Sequence, residues 1–228
     1  MNIAIIPARG GSKRIPRKNI KHFLGKPIIA YSIEVAIKSG LFDRVIVSTD
    51  DVEIVQIAQI YGAEAPFLRP KALSDDFTGT NDVVRHTLNW FLDQGIAVKY
   101  ACCIYATVPF LQVQYLQEGL EQLQCHNKSF AFSVTSFPSP VQRAMKIEQG
   151  GVTMFYPEYL DTRSQDLEEA YHDAGQFYWG KSETFLNHEN LFSQCAYPVV
   201  LPRELVQDID TMEDWNKAEL MYKILQHK

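Results

Sequence analysis

Five cations stand between positions 9 and 18: Arg9, Lys13, Arg14, Arg17 and Lys18, set around the turn-forming Gly10-Gly11-Ser12. The apolar run Ile3-Ala4-Ile5-Ile6, ending at Pro7, has strand character and delivers them. Arginine and lysine offer charge-assisted donors, and the glycines allow positive φ and close backbone approach. Successive backbone N–H groups in such a turn form an anion nest, so the natural guest is a polyphosphate. A solvated basic loop and a nucleic-acid arm are the competing readings. Neither the Gly-Lys-Ser/Thr ending of a Walker A loop nor a G-x-G-x-x-G fingerprint is present.

A second candidate is Asp208 with Asp210. Two positions apart on extended backbone, both carboxylates face one side, and two hard oxygen ligands beside substrate phosphates suit Mg²⁺. An equally open reading makes Asp210 the cap of the helix that follows, with Glu213 completing a capping box. Asp50-Asp51 before Glu53 fits a helix cap more simply than a ligand site. Asp75-Asp76 and Thr78-Gly79-Thr80 have loop composition, with Thr80 suited to capping a helix. Arg69, Arg163, Gln165, Asp173 and Gln176 are isolated polar side chains, each more often solvated than functional. The 6 histidines are scattered, and no Ser/His/Asp arrangement is legible.

These residues must be held by a scaffold of 228 residues, the size of one large domain over positions 1–228. A hydrophobic fraction of 46% supplies a core, and the net charge of −5 argues against nucleic acid as the main partner. Cys102, Cys103, Cys125 and Cys195 show no metal or disulfide spacing, and the adjacent pair suits core packing. No signal-like or membrane-spanning stretch is visible, so a cytoplasmic protein with no membrane partner is expected.

Along the chain, a helix opens near Pro27 with Ile29, Ile33, Ala36 and Ile37 inward and stops at Gly40. Residues 44–49 read as a strand, 52–61 as a helix, and 63–68 as a short strand. A helix over about 81–95 carries Val84, Leu88, Phe91 and Leu92 at helical spacing. Strands at 100–105 and 129–137 flank a helix through Leu116, Leu120 and Leu123. This alternation predicts an α/β fold with a mostly parallel sheet and right-handed crossovers, ligands sitting at the carboxyl ends of the strands. The pattern breaks over 138–172, where Gln149-Gly150-Gly151 joins two short strands in a hairpin. That stretch reads as an inserted lid or oligomer arm. Strands at 175–180 and 196–201, a short helix at 183–192 and a terminal helix bearing Trp215, Ala218, Met221 and Leu225 complete the chain.

The run from Ile6 to Asn19, Ile-Pro-Ala-Arg-Gly-Gly-Ser-Lys-Arg-Ile-Pro-Arg-Lys-Asn, resembles the nucleotide-binding motif of acid-sugar (nonulosonate) cytidylyltransferases, which make CMP-sialate and its relatives. Further matches in the same order are Phe42 to Asp50, Leu68-Arg69-Pro70, Arg163 to Leu167 and Asp208-Ile209-Asp210-Thr211, so the resemblance spans essentially the whole chain. It implies a nucleotide-diphospho-sugar transferase fold, a three-layer α/β sandwich. It places Arg9, Ser12, Lys13, Lys18 and Asn19, within the Gly10-Gly11 loop, on the phosphates and ribose of CTP. Arg69 and Thr80, with the backbone near Ala8, fall on cytosine. Asp208 and Asp210 become a Mg²⁺ site, and Arg9, Lys13, Lys18, Asp208 and Asp210 form the catalytic set. The 138–172 excursion becomes an arm exchanged within a homodimer, completing the neighbour's sugar site.

Two departures bear on the sugar. Tyr105, in Tyr-Ala-Thr-Val-Pro-Phe, stands where sialate enzymes usually carry Gln, and Ala174-Gly175-Gln176 replaces Asn-Gly-Ala. Both resemble the CMP-pseudaminate branch, as does Ser139-Pro140 followed by Arg143. The implied sugar-side residues are Tyr105, Arg143, Arg163, Gln165, Asp173 and Gln176, with the two arginines suited to the sugar carboxylate. The implied reaction joins the anomeric hydroxyl of pseudaminate to the α-phosphorus of CTP, for a bacterial surface glycan or flagellin. CMP-sialate or CMP-legionaminate synthesis, a sugar-1-phosphate nucleotidyltransferase and a non-catalytic CTP-binding regulator are the alternatives.

Overall fold

The computed structural model describes residues 1–126 and 128–226. In chain order the strands and α-helices are β1 (Asn2–Pro7), β2 (His22–Phe23), β3 (Lys26–Pro27), α1 (Ile28–Ser39), β4 (Arg44–Ser48), α2 (Val52–Ile60), α3 (Thr80–Asp93) and β5 (Tyr100–Ile104). Then follow α4 (Val113–Cys125), β6 (Phe130–Ser136), β7 (Met145–Glu148), β8 (Gly151–Met154), β9 (Tyr171–Lys181), α5 (Ser182–Leu186), β10 (Ala196–Val200) and α6 (Met212–Gln226). Six strands form one sheet in the order β10-β6-β9-β5-β1-β4. β1 runs parallel to β4 and β5, and β6 parallel to β10. β9 is antiparallel to both its neighbours, β5 and β6.

Period-two alternation sorts the strand side chains between two helical layers. Ala4, Ile6, Cys102, Ile104, Phe177 and Trp179 face α1, α2 and α4 through Ile29, Ile33, Ala58 and Leu116. Ile3, Ile5, Ala101, Cys103 and Phe132 face α3 and α5 through Val84, Leu88, Phe91 and Phe185. Covered on both faces, β1, β4 and β5 carry the near-continuous apolar runs that the sequence shows. Close approach of α4 to the sheet depends on Gly119, where a Cβ would lie 2.9 Å from the Trp179 ring. A third cluster joins Ile15 of the basic loop and Ile209 to Trp215 and Ala218 of α6. That cluster brings the N-terminal loop and the segment before α6 together.

The α/β sandwich is the fold the sequence predicts, with local differences. Residues 63–68 make only two isolated bridges, Ile46 with Glu64 and Thr49 with Leu68, rather than a strand. β9 begins at Tyr171 and opposes the general strand direction, because its feeding segment is the 138–172 excursion and not a crossover helix. Ile37 and Leu92 are exposed, at 46% and 52%, one position outside the buried stripes of α1 and α3. The hairpin is present as β7 and β8, turning through Gln149 and Gly150, both at positive φ. Among the described residues all four cysteines are free thiols, and no helix is long and apolar enough to cross a membrane.

Candidate active site at the strand ends

A cleft of about 280 Å³ opens at the carboxyl ends of β1 and β5. Arg9, Ser12, Lys18 and Asn19 line it from the basic loop, and Arg69, Thr78 and Thr80 from the segment entering α3. Tyr105, Ala106 and Thr107 close the third side beyond β5. Seven residues singled out from the sequence are thereby gathered at one place: Arg9, Ser12, Lys18, Asn19, Arg69, Thr80 and Tyr105.

The basic loop is built by its neighbours. The Gly10 N–H donates to Asp50 Oδ1 at 3.0 Å, and Asn19 Nδ2 donates to the Arg9 carbonyl at 2.9 Å. Gly10 and Gly11 do not take positive φ, contrary to the expectation from their type; the left-handed residue is Arg17, with φ 57°. What Gly10 supplies is room, since a Cβ there would lie 2.5 Å from Asp51 Oδ2. Arg17 is held in place by ion pairs with Asp51 and Glu53. Asp51 also caps α2, accepting from the Glu53 and Ile54 N–H groups at 2.9 and 3.2 Å. The Arg17 guanidinium, ahead of these N–H donors, holds the Asp51 carboxyl below its usual range. The capping reading is therefore right for Asp51, while Asp50 is a brace of the phosphate-type loop. Ala8 is fully buried, its N–H donates to the Ser48 carbonyl at 3.0 Å, and it does not line the cleft.

Lys18 connects this loop to the acidic pair. Its Nζ donates to the Ile209 carbonyl at 2.6 Å and lies 3.4 Å from Asp210 Oδ1, while Arg14 pairs with Asp210 Oδ2 at 2.7 Å. Asp210 does not cap α6. Thr211 and Asp214 do so: Asp214 Oδ2 accepts from Thr211 N at 2.8 Å, and Thr211 Oγ1 accepts from Asp214 N at 3.2 Å. Asp210 is instead held by its ion pairs with Arg14 and Lys18, neither it nor Asp208 lines the cleft, and Glu213 plays no capping part. Partial desolvation first, and the Asp210 charge second, push the Asp208 carboxyl above its ordinary pKa, although the residue remains exposed. Asp208 is exposed at the surface and Asp210 half-buried, and two carboxylates of this kind are hard oxygen donors that suit a divalent cation sharing substrate phosphates. Among the described residues, no cluster of three or more His, Cys, Asp or Glu offers an all-protein cage.

Arg69 is only 4% exposed. Its backbone N–H donates to the Thr49 carbonyl at 2.7 Å and its Nε to Ser74 Oγ at 3.0 Å, and the residue lines the cleft. Burial pulls its pKa down, opposed by Asp50 and reinforced by Arg9. Asp76 is a site residue that composition hides. It pairs with Arg9 at 2.7 Å and with Lys13, which stands outside the cleft lining, and Arg9 also donates to the Asp75 carbonyl at 2.7 Å. Asp75 folds its own loop, accepting from Thr78 N and Thr78 Oγ1, both at 2.7 Å. Thr80 begins α3 rather than capping it; its hydroxyl lies 3.3 Å from Tyr105 Oη.

The remaining sugar-side residues do not converge within one chain. Asp173 accepts from Tyr178 Oη at 2.9 and 2.7 Å and from Gly175 N at 2.8 Å. Gln176 is 2% exposed, and its Nε2 donates to the Leu205 carbonyl at 2.6 Å, so its amide braces the core rather than lining the cleft. Arg143 donates to the Leu160 and Thr162 carbonyls at 3.1 and 2.5 Å, within the arm. Arg163 pairs with Asp166 at 2.6 Å, and Gln165 is exposed nearby.

A profile described as cytidylyltransferase matches residues 3–223 of the chain. The chain belongs to the cytidylyltransferase family. It is 47% identical over 224 residues to a pseudaminic acid cytidylyltransferase of Campylobacter jejuni, covering 98% of this chain and 97% of that one. It is 29% identical over 232 residues to a CMP-N,N'-diacetyllegionaminic acid synthase of Legionella pneumophila, covering 98% and 97%. In three dimensions it resembles a CMP:2-keto-3-deoxy-manno-octonic acid synthetase solved with CTP, at a TM-score of 0.71 and 16% identity, with 100% and 99% of the two chains covered. Membership makes the protein a nucleotidyltransferase, and the structural likeness agrees with the α/β fold.

Proposed function

We propose that the protein transfers CMP from CTP to the anomeric hydroxyl of pseudaminic acid, releasing pyrophosphate. The observation that carries this reading is the convergence of Arg9, Lys18, Asn19, Arg69 and Tyr105 on one cleft, in a chain 47% identical to a pseudaminic acid cytidylyltransferase. The legionaminate and sialate alternatives draw less support, the corresponding identity to the legionaminic acid synthase being 29%.

In this reading Arg9 and Lys13 exchange Asp76 for the triphosphate, and Lys18 reaches it from beside Asp210. Such transfer needs positioning and charge stabilisation rather than a covalent intermediate. The three cations hold the negative charge that develops on the leaving pyrophosphate. Arg69 and Thr80 hold the base, and Asn19, tied to the Arg9 carbonyl, sets the loop against the ribose. Asp208 and Asp210 are the residues that would hold Mg²⁺, whose chemistry is Lewis-acid polarisation of a phosphate oxygen. Arg143, Arg163 and Gln165 serve the sugar site of a second copy of the chain. This role is supported by their separation from the cleft and by the exposed Ile147, Val152 and Leu160 of the same arm.

Pyrophosphate release with CTP, Mg²⁺ and a panel of pseudaminate, legionaminate, sialate and sugar-1-phosphates tests the reaction. Turnover is expected with pseudaminate foremost, and a preference for any other acceptor refutes the substrate. For the arm, mixing Lys18→Ala protein with Arg163→Ala protein should restore part of the activity that each lacks. No recovery in a demonstrated mixed dimer refutes sharing.

A further inference from the structure

The loop between Arg69 and α3 carries two adjacent aspartates with different partners. Asp75 builds the loop: its Oδ1 accepts from Phe77 N at 3.0 Å and from Thr78 N and Thr78 Oγ1, both at 2.7 Å. Just before it, Ser74 Oγ accepts from Arg69 Nε at 3.0 Å and donates to the Pro70 carbonyl at 3.1 Å. Asp76 takes part in none of these bonds. Its carboxylate reaches the basic loop instead, with Oδ1 on Arg9 at 2.7 Å and Oδ2 on Lys13.

Arg9 and Asp76 both line the cleft. One carboxylate that bridges two cations through separate oxygens copies the bridging that phosphoryl oxygens provide. Lys13 first, and Arg9 second, hold that carboxyl below its usual range, so it is ionised at neutral pH. The cations of the empty site are therefore partly neutralised by the protein itself, and an anion that takes both must replace Asp76. A group that stabilises the empty state weakens binding of every such anion by the same factor. That factor is modest, because the side chains of Arg9, Lys13 and Asp76 are 32%, 78% and 34% exposed.

We infer that Asp76 is a built-in counter-anion that competes with ligand phosphates for Arg9 and Lys13, weakening their binding and taking the cations back as the product leaves. This rests on the nucleotide reading of the cleft, which makes the displacing anion the triphosphate of CTP on entry and pyrophosphate on exit. Arg9 does not need Asp76 for its direction, because its Nη1 also donates to the Asp75 carbonyl at 2.7 Å. The loop does not need it either, since Ser74, Asp75 and Thr78 make the bonds that shape it. The sign of the Asp76 effect therefore separates competition from support. Removing a residue that shaped the site, or that shared a metal with the triphosphate, weakens binding; removing a competitor strengthens it.

The test is calorimetry of CTP and of pyrophosphate, each without sugar and at low ionic strength, on the wild type, Asp76→Asn and Asp76→Glu. Asp76→Asn should bind both anions more tightly, by about threefold to tenfold, the scale of two partly exposed ion pairs. Asp76→Glu keeps the charge and should gain less. In a Lys13→Ala background the gain from Asp76→Asn should shrink, because one of the two contested cations is gone. Added salt should shrink it as well. Unchanged or weaker binding of both anions by a folded Asp76→Asn protein overturns the inference. So does an equal gain from Asp76→Glu, or an undiminished gain when Lys13 is already Ala. Wild-type protein that does not bind CTP would instead refute the nucleotide reading on which the inference stands.

Discussion

Lys18 and Asp210 meet at the edge of the cleft, Nζ to Oδ1 at 3.4 Å, although 192 positions separate them in the chain. The contact exists because Ile15 and Ile209 are buried in one cluster with Trp215, docking the basic loop on the segment before α6. A cation proposed for phosphate is thus stationed beside a carboxylate proposed for a metal.

Lys18→Ala should lower turnover by about 10²-fold or more, the scale of losing one preorganised electrostatic donor. Its unfolding temperature should stay close to that of the wild type, since its partners Ile209 and Asp210 keep solvent or Arg14 as alternatives. Pyrophosphate release and a thermal melt on the same sample check this, and near-normal turnover would exclude Lys18 from the machinery.

Asp210 and Thr211 are adjacent but should fail in opposite ways. Thr211→Ala removes the cap of α6 and should cost about 1 kcal/mol of stability with little effect on turnover. Asp210→Asn leaves that cap in place and should raise the Mg²⁺ concentration needed for half-maximal rate several-fold, as expected of losing one hard charged ligand. If Asp210→Asn changed only the melting temperature, the metal-site reading would be lost.

Arg69→Lys tests whether the buried guanidinium acts as a shaped donor or merely as a charge. Lysine cannot reproduce the planar fork, and its ammonium would be buried with one fixed partner fewer. The Michaelis constant for CTP should rise about tenfold or more, that for the sugar much less. Equal changes in both would indicate a general disturbance of the Thr49–Arg69 link.

Asp51 carries the clearest pH signature. Its folded-state pKa is depressed, chiefly by the Arg17 hydrogen bond. Its contribution to stability is therefore fully present above the ordinary aspartate value of about 3.9, and is lost as pH falls through that value toward the depressed one. Asp51→Ala should cost about 1–2 kcal/mol at neutral pH, counting the cap it provides to α2. The gap to the wild type should narrow below about pH 4, which denaturant titrations at several pH values would reveal.

Much of the site was legible as types. The cations from Arg9 to Lys18 and the pair Asp208 and Asp210 stood out by chemistry or spacing, whereas Arg69 beside Pro70 read as a solvated side chain and was marked only by the family resemblance. The roles of neighbours did not. Asp50 and Asp51 look alike in the chain, yet one braces Gly10 and the other caps α2. Asp76 has ordinary loop surroundings, and only folding places it on Arg9 and Lys13. The capping reading of Asp210, left open beside the metal reading, fails because Thr211, one residue on, wins the helix terminus.

By itself the sequence determined the alternation of buried strands and amphipathic helices, the basic loop at the first strand end and, through separated motifs, the family. Those properties are local: they depend on residue type, period and order, which the chain states directly. Tertiary structure decided that Asp50 braces the basic loop while Asp51 caps a helix, that β9 runs against its neighbours, and that Asp76 meets Arg9 and Lys13. These depend on contacts between positions far apart in the chain, which no local pattern encodes.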